Sequence, residues 1–406
     1  MRIGILTSVH APMDTRIYFK QARSLAAAGH EVILVARAGG DIRDLRYVPI
    51  PVPESRRGRL RAALRVFRAA LRLRCDAYHI HDPELLPLGV LLRVCTRARL
   101  VYDVHENVRN QIRNKYWIPR PLRGAVARIY GAIERLCLRW VTHVILAEDS
   151  YAPFYRRQAV TVVHNYPILD GVVPPVGERR YSGKPRLVYC GVVARIRGGL
   201  EMLEVTAQLR AQYPDIELHV IGPFFPSSFE TEVRERMEVL GLTGHVTLHG
   251  RLPLDVALEQ VSRCDIGLAL LHPDPNYVDS LPTKMFEYMS LRLPVVVSDF
   301  PLWKRIVDDA GAGAAVNPMV PQEAARIIAR LNEDAMLMGR CGASGQRAVQ
   351  QRYSWEAEKK HLLAVYAEVN ATVPADTGTR TPALAGAAAV GMAAGTGRDG
   401  EVSGAS

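Results

Sequence analysis

Two carboxylates eight positions apart, Asp279 and Glu287, stand in the stretch DSLPTKMFEYMSLRLPVVVSDFP. Its later part, Leu293 to Ser298, is an apolar, β-branched run that reads as a strand buried on both faces of a parallel sheet. The residues before it read as a short helix with Pro282 near its start. Glu287 then lies in that helix among Met285, Phe286, Tyr288 and Met289. A carboxylate there could accept two hydrogen bonds from a ribose diol, or be a solvated helix residue. Asp279 lies in the loop entering the helix, where backbone N–H groups can bind a phosphate; it could also cap the helix.

A second set of groups is basic. In LVYCGVVARIRGGLEML a strand ends at Gly191, a loop carries Arg195 and Arg197, and Gly198-Gly199 opens a helix. Two guanidiniums at a helix N-terminus beyond a parallel strand suit a pyrophosphate, although both could simply be solvated. Gly222, after LHVI, would let a ligand approach the backbone, or serve as an ordinary strand-to-loop glycine. A third set is imidazole. His105 follows the strand LVYDV, and His79, His81 and Asp82 end another. Imidazoles beside carboxylates raise a metal site, but the spacing fits no closed zinc pattern and none is expected. His10, Asp14 and Arg16 follow the first strand; they could touch an acceptor or a pyrophosphate, or form a structural loop pair.

Positioning these groups requires two series of alternating strands and helices. The first contains RIGILTSV, HEVILVAR, AYHIH, ARLVYDVH and THVILAE, with a helix around Ile17–Ala28; the second contains RLVYCGVV, IELHVIG, HVTLHG, IGLALL, PVVVS and GAAVN. Strands separated by helices imply parallel sheets with right-handed crossovers, hence two Rossmann-like, doubly wound α/β domains facing across a cleft. The expected boundaries are 1–172 for an acceptor-side domain and 184–350 for a donor-side domain. A C-terminal helix, 351–372, should pack back on the body. The Ala-, Gly- and Thr-rich tail, 373–406, lacks large apolar residues and reads as disordered.

The 406-residue chain, 48% hydrophobic, is long enough for two cores. Its six scattered cysteines read as reduced thiols of a cytosolic protein. The start lacks the features of a signal peptide, and no apolar run is long enough to span a bilayer. Residues 1–170 hold 28 Lys and Arg against 14 Asp and Glu, whereas the remainder is slightly acidic. That asymmetry suggests an anionic partner for the first half.

The segments HAPMDTRIYFKQARSLAAAGHEV, HIHDPELLPLG, YDVHE, HNYP, CGVVARIRG and NYVDSLPTKMFEYMSLRLPVVVSDFP, in this order, resemble glycosyltransferase family 4 over residues 1–370. The resemblance implies the GT-B fold and retaining transfer from a UDP- or GDP-sugar. It implies a catalytic set of His105, Arg197, Asp279 and Glu287, with Glu287 holding the donor ribose and His105 near the transferred sugar. A neutral imidazole at His105 could hydrogen-bond a sugar hydroxyl or support developing charge. The donor site would comprise Gly191, Arg195, Arg197, Gly222, Ser280, Leu281, Thr283, Lys284 and Glu287. The match has departures. The family's E-x7-E begins here with Asp279, and the arginine usual after its first glycine is replaced by Val192, a charge Arg195 could supply. HAPMDTR stands where many members have a double-glycine loop. A strict DxD is missing, so arginines and helix dipoles would neutralise the leaving diphosphate. The expected transfer needs no metal or other cofactor. The leaving phosphate would take the acceptor proton on the front face, and no carboxylate nucleophile is assigned.

Eight arginines crowd residues 56–74, RRGRLRAALRVFRAALRLR, with Leu60, Leu64, Phe67 and Leu71 on one helical face. Arg57, Arg61, Arg65, Arg68 and Arg72 form another stripe. Such a helix could lie on the anionic inner face of the plasma membrane, joined by NKYWIPRPLRGAVARIYGAIERLCLRW with Trp117 and Trp140; the apolar faces could instead pack on the sheet. The leading expectation is thus a glycosyltransferase with a glycan or lipid-linked acceptor in polysaccharide, lipopolysaccharide or glycolipid assembly. Alternatives are a nucleotide-sugar 2-epimerase and a catalytically inactive nucleotide-binding protein of this fold. A nucleic-acid-binding protein is disfavoured, because the aromatic-plus-basic modules for base stacking are lacking.

Overall fold

The structure is a computed structural model; it describes residues 1–371 except 54, 107, 109–111, 113–117, 175, 178–180, 182 and 276. The tail expected to be disordered lies outside the described residues, as does Trp117. The first sheet has seven parallel strands: β1 (Arg2–Leu6), β2 (Glu31–Arg37), β3 (Arg46–Ile50), β4 (Ala77–Ile80), β5 (Arg99–Val104), β6 (His143–Leu146) and β7 (Val160–Val162), in the order β3-β2-β1-β4-β5-β6-β7. The second has six: β8 (Arg186–Cys190), β9 (Glu217–Ile221), β10 (Val246–Gly250), β11 (Ile266–Ala269), β12 (Val295–Ser298) and β13 (Gly313–Val316), in the order β10-β9-β8-β11-β12-β13. Each sheet reverses direction beside its first strand, the doubly wound arrangement whose crevice opens beyond the strands' carboxyl ends.

Strands β3 and β7 were not anticipated. Both are edge strands: β3 contains Pro49, which an edge tolerates, and β7 has three residues, too few to show a period. The central strands β4, β6, β11 and β12 are buried throughout, as their apolar sequence requires.

The helix Thr15–Ala22 opens with wide π-type turns and continues as the α-helix Arg23–Ala27. The C-terminal helix Trp355–Ala371 packs on the first sheet rather than the second. Leu362, Val365, Tyr366 and Val369 join Ile3, Ile5, Leu34 and Val101 in one core, and the Trp355 indole N–H donates to Ser24 Oγ at 3.0 Å. In the opposite sense Tyr166, beyond β7, enters the second domain's core and meets Phe286 edge-on at 4.8 Å.

Candidate active site

The helix Thr283–Ser290 is fixed to the second sheet by Tyr288. Its ring lies against Gly267 of β11, where an added Cβ would stand 2.2 Å from Tyr288 Cδ2, and its hydroxyl accepts the Cys190 N–H at 2.7 Å. The helix entry is fixed by Trp303, whose indole N–H donates to the Ser280 carbonyl at 2.5 Å. These two anchors set Lys284 and Glu287 at the carboxyl end of β8.

Lys284 is buried and, among the described residues, its Nζ lacks a hydrogen-bond partner. It lies 3.8 Å from the centre of the Tyr189 ring and 3.1 Å from where a Gly191 Cβ would be. Gly191 has φ +134°, so this position needs glycine for its backbone as well as for the approach of the ammonium. Burial, reinforced by Arg197, pushes the Lys284 amine down to about 7. Arg197 stacks 5.5 Å from the Tyr277 ring centre, with Nε 3.3 Å from its hydroxyl. Glu287 is partly buried while its helix neighbours are buried; burial raises its carboxyl, opposed by Lys20 and Lys284. Lys284, Arg197, Gly191 and Glu287 thus form one group of two cations and a carboxylate around a strand end. Such a group can hold a diphosphate and a diol.

Other expected residues stand differently. Arg195 turns to Glu232 and stacks on Phe229 at 5.8 Å, away from Arg197, because the short helical turn Arg195–Arg197 points the two guanidiniums apart. Gly222, φ +141°, is glycine because a Cβ would stand 1.9 Å from the Gly191 carbonyl oxygen; it shapes the Gly191 turn from behind. Asp279 is exposed and does not cap the helix, whose N-cap is Pro282. Ser280 Oγ donates to the Tyr277 carbonyl at 3.1 Å, the Leu281 N–H donates to Glu148 at 3.0 Å, and Thr283 begins the helix. The Val192 carbonyl accepts the Tyr189 hydroxyl at 2.7 Å.

Across the cleft, Asp103 of β5 is fully buried and takes both Nε (3.2 Å) and Nη2 (2.9 Å) of Arg16, together with the Gln21 amide. Arg16 also donates to the Val163 carbonyl at 2.8 Å, and Asp14 caps its helix by accepting from the N–H groups of Arg16 and Ile17. Arg16 is thus a buried structural cation, and Asp14 caps the helix that carries it. Asp82 gathers the turn after β1 through the N–H of Ser8 (2.5 Å) and the hydroxyl of Thr7 (2.8 Å), and lies 2.9 Å from His10.

His105 Nε2 lies 3.0 Å from His81 Nδ1 and 3.5 Å from Asp103. Burial pushes His105 down to about 4, with Arg16 and His10 adding to it and Asp103 opposing, and burial also drives His81 well below its ordinary value. Both rings are neutral near pH 7. His79, whose Nδ1 is 3.0 Å from the Tyr366 hydroxyl, completes with His81 and Asp103 a cluster whose atoms could hold a metal ion. The Asp103 oxygens already carry Arg16 and Gln21, so a divalent ion would lie against a buried guanidinium.

Sequence reasoning passed over Lys20, Asp103, Glu148, Tyr189 and Tyr277. Lys20 is fully buried and donates to Asn165 Oδ1 at 2.5 Å; burial pushes its amine down to about 7. Its signal was available: Arg16 and Lys20 are one helical turn apart on a face that also carries Ile17, so polar groups occupy a core-facing stripe. Glu148 and Tyr277 gave none, since both sit in loops placed only by the tertiary fold.

Residues 17–168 match the glycosyl transferase 4-like domain, and residues 176–348 match glycosyl transferases group 1. The chain is 25% identical over 391 residues to a phosphatidyl-myo-inositol mannosyltransferase of Mycolicibacterium smegmatis, covering 91% of this chain and 94% of that one. It is 23% identical to the protein of that name in Mycobacterium leprae, covering 91% and 97%. Among solved structures, sucrose-phosphate synthase from Thermosynechococcus elongatus superposes with a TM-score of 0.72 at 18% identity, covering 91% of this chain and 99% of that one. Anabaena HepE in complex with UDP gives 0.69 at 16%, covering 91% and 100%.

Proposed function

From the premise that this chain is a family 4-type glycosyltransferase of GT-B fold, we propose that it transfers a hexose, with retention and without a metal, from a UDP- or GDP-sugar to a lipid-linked or glycan acceptor of the cell surface. The observation that carries the donor half is Lys284: a buried ammonium with no hydrogen-bond partner among the described residues, beside Arg197, Gly191 and Glu287 at a strand's carboxyl end. A diphosphate would supply the missing partner, and Glu287 would accept the ribose hydroxyls. HepE in complex with UDP makes a UDP donor worth testing first, with GDP beside it. His105, neutral and held by His81, would face the transferred sugar as a hydrogen-bonding group rather than a proton carrier.

The acceptor half rests on the first domain's surface. Helix Arg56–Leu73 buries Ala62, Ala63, Val66 and Ala70 and leaves Leu60 and Leu64 exposed. Leu60 and Leu64 therefore do not pack on the sheet, whereas Phe67 and Leu71, expected on the same face, lie against its core and Leu73 is buried in it. Helix Arg120–Leu138 exposes Leu122, Val126, Ile129, Ile133 and Leu136 at alternating spacings of four and three, and Trp140 continues the line. An apolar stripe among arginines suits an anionic bilayer, where a lipid-linked acceptor would be met in place. Among the described residues no helix is long and apolar enough to cross a membrane.

Calorimetric titration of UDP and GDP into the wild type and Glu287→Ala tests the reading. One nucleotide should bind and the variant should lose it. Binding of neither would overturn the donor assignment, and binding with no turnover of any nucleotide hexose would favour an inactive protein of the same fold.

A further inference from the structure

Glu148, just beyond the carboxyl end of β6, reaches across the cleft and accepts the N–H of Leu281 at 3.0 Å. Leu281 lies in the loop that opens the helix carrying Lys284 and Glu287. In that loop the Ser280 N–H is already bonded to the Tyr277 carbonyl at 3.1 Å, and residue 282 is a proline with no N–H to give. The N–H turned toward the first domain is thus held by a carboxylate of this chain. An amide at the entry to a helix is the natural seat of an anionic oxygen, and a carboxylate is the nearest stand-in a protein has.

We propose that Glu148 is a gatekeeping residue of the donor site: it holds the Leu281 N–H until an oxygen of the donor's diphosphate takes that bond, and the expelled carboxylate then takes a proton from solvent. The proposal rests on the donor reading above. One hydrogen bond is exchanged, and the only covalent change is the O–H bond that the Glu148 carboxylate forms with a proton from solvent.

The surroundings make the exchange feasible near neutral pH. Burial raises the Glu148 carboxyl, and the Leu281 N–H, His164 and Arg16 pull it back while Asp149 adds to the rise, leaving it at about 7. These groups come from every side: Arg16 from the helix after β1, His164 from the segment after β7, Asp149 from its own loop, and Leu281 from the second domain. His164 is itself held 2.9 Å from Asp149 and 3.1 Å from Glu358, and these contacts outweigh its burial and keep it more basic than an ordinary histidine. Diphosphate charge arriving at Leu281 would repel an ionised Glu148 and favour its protonated form. Donor affinity should therefore be greatest below neutrality and fall as pH rises.

The test is calorimetry of UDP and GDP with the full chain, below and above neutrality, in two buffers of different protonation heat. Wild type should take up protons on binding and weaken as pH rises. Lys284 and Lys20 contribute uptake of the same sign, so the diagnostic quantity is the difference from Glu148→Gln. That variant should take up fewer protons and bind about tenfold more tightly above neutrality, the factor that one unit of pKa displacement gives. Glu148→Asp, which keeps the charge but falls short of the Leu281 N–H, serves if the glutamine variant does not fold; it too should show reduced coupling. Equal affinity and equal uptake in wild type and variant would overturn the proposal and leave the donor reading standing. Failure of the wild type to bind either nucleotide would overturn both.

Discussion

The Lys284 ammonium lies over the face of Tyr189, 3.8 Å from the ring centre, and this cation–π contact stands in for the hydrogen bonds it lacks. The arrangement keeps a cation dehydrated and ready for an anion, at a cost to the ligand-free fold.

That cost has a pH signature. Lys284 and Lys20 are each depressed to about 7, so between there and the ordinary lysine value the unfolded chain binds protons that the folded chain does not. Their contribution to stability therefore rises with pH across that window, and the penalty of burying charge is fully present below it. Lys284→Met should be more stable than wild type near pH 7, should flatten part of this rise, and should lose about 10–100-fold in nucleotide affinity, the worth of hydrogen bonds to a charged group. Thermal melts across the window, paired with nucleotide titrations, measure both. A variant less stable than wild type at pH 7 would contradict the argument.

His105 should separate turnover from donor binding. His105→Ala is expected to lower kcat by about 10²-fold, the cost of losing one preorganised polar group at a reacting centre, while donor KM stays within about threefold. Because burial holds the ring neutral down to about pH 4, the variant and wild-type rate profiles should share one shape at higher pH. A histidine inflection present only in the wild type would show that the ring carries a proton after all.

The Arg16–Asp103 pair should prove structural. Arg16→Met leaves a fully buried carboxylate without its guanidinium and should cost about 3–5 kcal/mol in chemical denaturation. Adding Asp103→Leu should recover much of the loss. A single variant within about 1 kcal/mol of wild type would show that Gln21 and the imidazoles suffice.

Membrane docking should depend on two helices of different character. Ile129→Asp with Ile133→Asp should weaken co-sedimentation with anionic vesicles by at least about tenfold, since each buried isoleucine contributes about 1.5–3 kcal/mol. Replacing Arg61, Arg65 and Arg68 with glutamine should reduce binding by about 100-fold at low salt and little at high salt, at about 1 kcal/mol per charge. Unchanged binding in both variants would remove the bilayer from the proposed function.

Much of the scaffold was legible because parallel strands advertise themselves. VILVA and VVV are buried on both faces, so their sequence is continuously apolar, whereas Pro49 and the brief VTV conceal the two edges. Glu287 could be picked out because a carboxylate on a helix amid Met, Phe and Tyr contradicts its neighbours, whereas Lys284 came only with the family resemblance. The arginines were misread in part for the opposite reason. Arg195 and Arg197 look alike in a list of residues, but a tight turn sends one to Glu232 and the other to Tyr277. Arg16 looked like a loop cation until Asp103, 87 residues away in the chain, gave it a buried partner. Such pairings depend on strand order, which local pattern does not encode.

The C-terminal helix has a mechanical meaning. The chain leaves the first domain after β7, builds the second, and returns through Tyr353 and Trp355 so that Tyr366 lies beneath β1 and β4, bonded to His79. Two peptide strands therefore cross between the domains. A single tether would permit twisting as well as opening; two side by side define an axis and restrict motion to opening and closing about it. A fragment ending after the first domain would expose Ile3, Ile5 and Leu34 to water, so the two halves are separable in sequence but not as independently folding pieces.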